Sequence, residues 1–437
     1  MRVSVFGLGH VGLLSAACLT RAGHTVIGTD PEPQRAALAG IGRFLLLDPG
    51  LKRLITEAAS SGRFRTTLDP RSAVLESDAT LICVATPSNA NGSLNLRDLD
   101  AVCIQIGTAL AVKEDYHLVV VHSAVLPGTV EGRLTLLIEQ HSDRQAGHHF
   151  GVCMNPVLSG DWSEGQGLDN PNPIVIGELD TRSGDSAQQL YKTPNTTVVR
   201  TSIQTAEMLN YVSKAFHAVR VTFANEIGDL CAAHGIDGHK VMEHSCLDQL
   251  SNLSPAYLRP GFAFDGPCYP KDLRALVYRA KEQDVDCPLL SAALLSNQKQ
   301  VSHAIELVER THRSRIGILG FGFKAGSADI RENPIVRLAE TLVGKGYEVR
   351  IFHENVDETR QDDTTSFFLD SGLPHIAKLL SPSLEEVLGE SEVVVIANGE
   401  NAARNVSDLL LGDRILIDLA GVSREVPTTH PSVSKPE

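Results

Sequence analysis

Short apolar runs recur along the first half of the chain, and between them apolar residues keep helical spacing. The runs fall at Val3–Phe6, Thr80–Val84, Leu118–His122, Phe150–Cys153 and Pro173–Ile176, with a second strand ending at Asp30. Strands alternating with helices predict a mostly parallel sheet up to about residue 200. The pattern then changes. From Ile203 to His234 the apolar positions are Leu209, Val212, Phe216, Val219, Phe223, Ile227 and Leu230. Spacings of three and four line one face of a single helix. At 1.5 Å per residue such a helix spans roughly 45 Å, long enough to bridge domains or subunits. Helical sequence continues to about residue 310, where RIGILGFGF opens a second α/β unit. Its strands are expected at Ile316–Leu319, Glu348–Phe352, Val393–Ile396 and Ile415–Leu419, and the polar tail from Pro427 is expected to fray.

The first strand runs directly into Gly7, Gly9 and Gly12, with His10 and Val11 between them, and a helix follows. In a G-x-G-x-x-G turn, missing side chains let the chain bend sharply and bring backbone N–H groups against a pyrophosphate at a helix N-terminus. Asp30, ending the second strand, is placed to accept hydrogen bonds from the adenosine ribose. Strand, glycines, helix and acid in this order predict a dinucleotide site. Asp30 would repel a 2′-phosphate, which points to NAD over NADP, while Arg35 nearby works against that preference. The architecture expected is α/β, with two Rossmann-like doubly wound domains joined by a helical central domain. The boundaries are 1–202 for the NAD-binding domain, 203–310 for the helical centre with its bridging helix, and 311–437 for the second Rossmann-like domain.

Composition narrows the partners. At 437 residues, 42% of them hydrophobic, the chain can bury several cores. No stretch is apolar for the roughly 18 residues a membrane span needs, and no signal-like segment precedes the first strand, so a cytoplasmic protein is expected. A net charge of −14 argues against nucleic acid or an anionic membrane as partner. It leaves room for a phosphorylated substrate held by a local Lys/Arg cluster. The eight cysteines contain no C-x-x-C pair, so no metal site and no disulfide framework is expected.

One cysteine stands apart. Arg259–Asp272 reads RPGFAFDGPCYPKD, placing Cys268 in a Gly/Pro-rich turn shortly before Lys271 and Asp272. A neighbouring ammonium favours the thiolate, the reactive form, so Cys268 is a candidate nucleophile. From its neighbourhood alone, a buried structural thiol is the better fit.

Beyond these features the chain resembles the nucleotide-sugar dehydrogenase family, the UDP-glucose and GDP-mannose dehydrogenases, along nearly its whole length, and most of all the GDP-mannose branch. The resemblance is carried by FGLGHVG at 6–12, CVATPS at 83–88, VLPGT at 125–129, VTFANEIGDL at 221–230, the RPGFAF and PKD elements around Cys268, and FKAGSADIRENP at 323–334. It implies oxidation of a sugar C6 alcohol to a carboxylate with two NAD, through a cysteine-bound thiohemiacetal and a thioester. Cys268 would be the nucleophile and Asp272 a polar or acid–base helper. Lys271 would lie near the cofactor, with Thr86 and Arg331 touching NAD. Tyr257, Arg259, Phe262, His217, Asn225 and Lys324 would hold the nucleotide sugar, a GDP-hexose, with some of them reaching across a homodimer or higher oligomer formed through the long helix.

The departures from the family gather on the chemistry. The threonine before VLPGT is Ala124. The family's Asn-Pro-Glu-Phe-Leu-x-Glu becomes Asn155 to Asp161, with Val157 for the first glutamate and Asp161 for the second. The helix lysine and the asparagine four residues later are exchanged, as Asn210 and Lys214. Asp265-Gly266-Pro267 replaces a Gly-Gly-Ser-like turn, and Ala256 replaces an aromatic residue. A lost general base costs roughly 10²- to 10⁴-fold and a lost oxyanion donor about 10²- to 10³-fold. Lys214, one turn along the same face, substitutes only in part, its flexible stem returning the charge to nearly the same place. Two functions therefore stay open: a dehydrogenase with rearranged catalytic groups, in which Asp161 and Lys214 join Cys268 and Asp272, or a catalytically silent homologue that still binds NAD and nucleotide sugar.

Overall fold

The computed structural model describes residues 1–42, 49–157, 173–191, 197–247, 258, 260–264, 269–321, 333–353, 373–397 and 414–421. They pack as two compact units, Met1–Lys214 with Lys271–Asp286, and Ala215–Pro270 with Cys287–Glu437.

The first unit is built on a sheet of eight strands: β1 (Arg2–Phe6), β2 (Thr25–Thr29), β3 (Phe64–Thr67), β4 (Ala79–Ile82), β5 (His117–Val121), β6 (Phe150–Met154), β7 (Ile174–Glu178) and β8 (Val198–Ser202). Their order is β3-β2-β1-β4-β5-β6-β7-β8. β4, β5 and β6 are buried at every position, as strands covered by helices on both faces must be. Their polar members Thr80 and His117 bond to one another inside the sheet. Thr80 Oγ1 lies 2.7 Å from Ser4 Oγ and 2.8 Å from His117 Nε2, and burial pushes the His117 ring down to about 3, so it stays neutral. β3 and β8, which the apolar pattern does not announce, lie at the two edges. Each carries a mid-strand arginine, Arg65 or Arg200, and a half-exposed face, so neither reads as a buried strand.

The sheet reverses once. β1 to β6 run parallel, whereas β7 meets β6 antiparallel with Glu178 opposite Cys153, and β8 runs beside β7 with Ser202 opposite Glu178. Ser202 is therefore level with Cys153, near the carboxyl end of β6. The long helix Ile203–Ala233, which starts at the next residue, begins at the edge where the loops after β1, β4 and β5 emerge. Placing the start of this helix there brings its first turns to a site built of those loops.

The second unit has a five-stranded sheet, β9 (Arg315–Leu319), β10 (Glu348–Phe352), β11 (Leu380–Ser381), β12 (Val393–Ile396) and β13 (Ile415–Asp418), in the order β11-β10-β9-β12-β13. All these pairings are parallel. Helix Pro288–Arg310 and helix Pro334–Gly344 contribute Val301, Ala304, Val308, Leu338 and Leu342 to its core. The long helix buries one side and leaves an apolar stripe open on the other: Val212, Phe216, Phe223 and Leu230 are 51%, 61%, 53% and 59% exposed. Among the described residues no helix is long and apolar enough to cross a membrane.

Candidate functional site

The turn after β1 has the geometry its glycines predict. Gly7 takes φ +90°, and a Cβ there would meet the Cys83 carbonyl oxygen at 2.9 Å. A Cβ on Gly12 would lie 1.8 Å from the Gly7 carbonyl oxygen, an impossible approach, whereas nothing lies within 4 Å of the Cβ position at Gly9. The turn is thus closed behind and open in front. Helix His10–Arg21 starts from Gly9 with no side-chain cap and no acid in its first turn. A helix start with neither a side-chain cap nor a nearby acid keeps the positive end of its dipole, which suits a pyrophosphate.

Asp30 sits buried at the carboxyl end of β2. Its Oδ2 accepts the Leu8 N–H at 2.8 Å and its Oδ1 the Glu32 N–H at 3.0 Å, while Arg35 Nη1 lies 3.2 and 3.3 Å from the two oxygens. Asp30 is therefore fixed against the glycine turn, and Arg35 offsets part of its charge.

The loops after β4 and β5 meet the long helix at a buried ion cluster. Asp272, 1% exposed, is gripped on both oxygens: Lys214 Nζ lies 2.5 Å from Oδ2 and Lys271 Nζ 2.5 Å from Oδ1. Burial alone would raise the carboxyl, but the two ammoniums and their hydrogen bonds outweigh it and hold Asp272 below the usual carboxylate range. It is a fixed anion at neutral pH. Lys271 also lies 3.4 Å from Thr86 Oγ1, which donates to the Ala124 carbonyl at 2.8 Å. Two neighbours from the long helix are buried here with atoms that find no hydrogen-bond partner among the described residues, Asn210 Oδ1 and Tyr211 OH. Burial, with Asp272 and Glu207 close by, pushes the Tyr211 phenol well above its ordinary value and keeps it protonated.

Glu207 on the same helix is a group the sequence reading missed. It is fully buried and accepts the Gly128 N–H at 2.7 Å and the Val130 N–H at 2.8 Å, clasping the VLPGT loop. Its spacing was the available signal, because residues 207, 210 or 211, and 214 share one helical face. Asn155, at the start of the altered Asn-Pro segment, is anchored through Nδ2 to the Val175 carbonyl at 2.8 Å and through Oδ1 to the Tyr191 hydroxyl at 2.8 Å. Val157, two residues on, presents only an apolar side chain.

In the second unit His217 stacks on Tyr269, ring centroids 3.9 Å apart at 11°. Asn225 braces the backbone after position 259, donating to the Phe262 carbonyl at 3.1 Å and accepting the Gly261 N–H at 2.8 Å. Asn297, also missed from sequence, clamps Phe264 from both sides, accepting its N–H at 2.7 Å and donating to its carbonyl at 2.9 Å. Phe262 packs against the core of this unit. Asp161, Tyr257, Arg259, Cys268, Lys324 and Arg331 lie outside the described residues. Among the described residues no group of three or more His, Cys, Asp and Glu is arranged to hold a metal.

Comparison with known proteins covers nearly the whole chain. Residues 1–195 match the NAD-binding domain of the UDP-glucose/GDP-mannose dehydrogenase family, residues 204–299 its central domain and residues 317–425 its UDP-binding domain. The GDP-mannose 6-dehydrogenase of Pseudomonas aeruginosa is 43% identical over 430 residues, covering 98% of this chain and 99% of that protein. A UDP-glucose dehydrogenase from the hyperthermophilic archaeon Pyrobaculum islandicum superposes with a TM-score of 0.86 at 29% identity, covering 97% of this chain and 95% of its own. A ternary complex of the P. aeruginosa GDP-mannose dehydrogenase gives a TM-score of 0.56 at 42% identity, with 98% of each chain covered.

Proposed function

Because the chain belongs to the UDP-glucose/GDP-mannose dehydrogenase family and is an NAD-dependent oxidoreductase acting on CH–OH groups, we propose that it oxidises the C6 alcohol of GDP-mannose, or of a closely related GDP-hexose, to the carboxylate. The observation that carries this reading is the grip of Lys214 and Lys271 on Asp272, beside Thr86 and in the same unit as the glycine turn. Among the described residues, two ammoniums against one carboxylate leave a buried excess of one positive charge. An alkoxide forming as the C6 alcohol is oxidised would be stabilised there. In this chain the exchanged Lys214 carries that role in place of the lysine absent from position 210, and Asn210 Oδ1, without a partner among the described residues, is suited to accept from a sugar hydroxyl.

NAD, when bound, accepts one hydride in each oxidation, so the passage from alcohol to acid uses two. The glycine turn with His10 and Val11 holds the pyrophosphate, Asp30 the adenosine ribose, and Thr86, Lys271 and Arg331 the remainder, with NAD preferred to NADP. The Cys268 thiolate adds to the aldehyde carbon to give a thiohemiacetal. After the second oxidation the thioester is cleaved by water, whose oxygen stays in the acid while the sulfur leaves as thiolate. Asp161, shorter than the glutamate it replaces, is the remaining carboxylate for that water. Asn210, His217, Asn225, Tyr257, Arg259, Phe262 and Lys324 bind the nucleotide sugar. The domains are those of 1–202, 203–310 and 311–437, and the exposed stripe on the long helix supports a homodimer.

The test is the number of NADH formed per GDP-mannose in a single turnover, with intact-mass analysis of Cys268. Two NADH, or one with a covalent adduct on Cys268, supports the reading. Normal turnover unaffected by Cys268→Ala refutes the mechanism. No NADH and no adduct favours a silent homologue that binds NAD and nucleotide sugar, a reading to which Val157 and Ala124 lend weight.

A further inference from the structure

The loop after β5 is held from outside the sheet. Gly128 and Val130 offer N–H groups at the start of a helical segment, Val130–Thr135 continuing as Leu136–Ser142, where such donors have no acceptor within the helix. The nearest local candidate does not serve them, because Thr129 makes no side-chain cap and instead donates its hydroxyl to the Leu126 carbonyl at 2.6 Å. Glu207 takes both N–H groups, one on each oxygen.

From that anchor a chain of bonds leads back to the same helix. The Ala124 carbonyl accepts from Thr86, Thr86 meets Lys271, Lys271 grips Asp272, and Asp272 grips Lys214, two turns beyond Glu207 on the same face. The loops after β4 and β5 lie beyond the β1/β4 point where strand order reverses. In this topology that half of the sheet receives the nicotinamide mononucleotide. We propose that Glu207 is a positioning residue whose carboxylate sets the Val125–Val130 loop against the nicotinamide end of NAD, and so governs cofactor affinity without touching the cofactor. The proposal rests on the dehydrogenase reading above.

Burial pushes the Glu207 carboxyl up to about 7, with Glu131 on the capped turn adding to the rise, against the lowering effect of the amide bonds. Among the described residues, Tyr211 of the same helix also interacts with Glu207, and with Asp272 in turn. A carboxyl raised in the folded state contributes stability that is fully present below its ordinary value and lost as pH rises through about 7. The ionised form, less favourable for folding, is the one that serves two N–H donors. Stability and cofactor affinity therefore respond oppositely to its charge, whereas a purely structural residue would move them together.

The experiment is calorimetric NAD titration, with thermal melting, of the unmodified protein and of Glu207→Gln between about pH 5.5 and about pH 8.5. Glutamine keeps the shape but turns a donor toward one of the two amides. At the alkaline end the variant should bind NAD about tenfold more weakly, the loss of one hydrogen bond to a charged group, while melting at or above the temperature of the unmodified protein. Affinity of the unmodified protein should fall to the variant's level as pH drops, and the variant's should stay flat. Equal affinity at the alkaline end, a pH profile that survives in the variant, or an affinity loss matched by a lower melting temperature would each overturn the proposal. An unmodified protein that binds no NAD at any pH would overturn both this proposal and the dehydrogenase reading, and so tells the two failures apart.

Discussion

Lys214 Nζ and Asp272 Oδ2 lie 2.5 Å apart across 58 residues of sequence, and the pair is buried. Removing the carboxylate leaves two lysines without a counter-charge in an enclosed place. Asp272→Asn should therefore lose about 3–5 kcal/mol of stability, read as a shifted denaturant midpoint. A carboxylate held below its ordinary range contributes stability that is present above that range and lost as pH falls through the lowered value. The unmodified protein should therefore lose this contribution in acid below about pH 4, and the gap between it and Asp272→Asn should narrow there. A gap that is constant from neutral to acid pH would contradict the pairing.

The exchange of lysine and asparagine on the long helix can be read as a cycle. Asn210→Lys alone adds a third ammonium beside a single carboxylate and should destabilise the protein. Asn210→Lys with Lys214→Asn restores the balance and should recover most of the loss, giving a coupling of about 0.5–3 kcal/mol. Adding Ala124→Thr and Val157→Glu should raise turnover with GDP-mannose by at least about 10²-fold, because these positions supply a donor and a general base. Additive stability changes, or a rate unmoved by all four substitutions, would remove the assigned roles.

The two glycines of the nucleotide turn should separate folding from binding. A methyl at Gly12 would collide with the Gly7 carbonyl, whereas a methyl at Gly9 meets only open space. Gly12→Ala should lower both the melting temperature and NAD affinity. Gly9→Ala should melt normally yet bind NAD at least about tenfold more weakly, since the backbone there must approach the pyrophosphate closely. Calorimetry beside thermal melting decides it, and equal melting temperatures for the two variants would contradict the steric account.

Assembly should follow the stripe of Val212, Phe216, Phe223 and Leu230. Light scattering is expected to give a dimer or a larger oligomer at micromolar concentration. Phe216→Asp with Phe223→Asp should yield a smaller species that remains folded, because both side chains are more than half exposed. A stable monomer of the unmodified protein would remove this role for the stripe.

The glycine turn was legible because its chemistry is local: one strand, one turn and one helix fix Gly7, Gly9, Gly12 and Asp30 within a single supersecondary unit. The central strands were legible for a similar reason, since burial on both faces writes a continuous apolar run. The edge strands were not, because Arg65 and Arg200 look outward from them. Lys214 was visible as a displaced lysine, but its bond to Asp272 was not, because helical periodicity gives a face and not the partner opposite it. Glu207 escaped altogether. An acid on a long helix reads as solvated until the amides of a distant loop are seen to turn toward it. Asn225 and Asn297 show the same limit, their work being done on backbone groups that no side-chain pattern encodes.

The first unit is discontinuous in the chain: after Lys214 it resumes only at Lys271 and closes at Asp286. On the ribosome, where chains fold as they emerge, the N-terminal sheet is therefore complete long before its last helix exists. During that interval Lys214 has neither Asp272 nor Lys271 beside it, so the ion cluster cannot form until both have been synthesised. Maturation of this site is a late event of synthesis, and a fragment ending at 214 would carry the glycine turn without the charges that complete it.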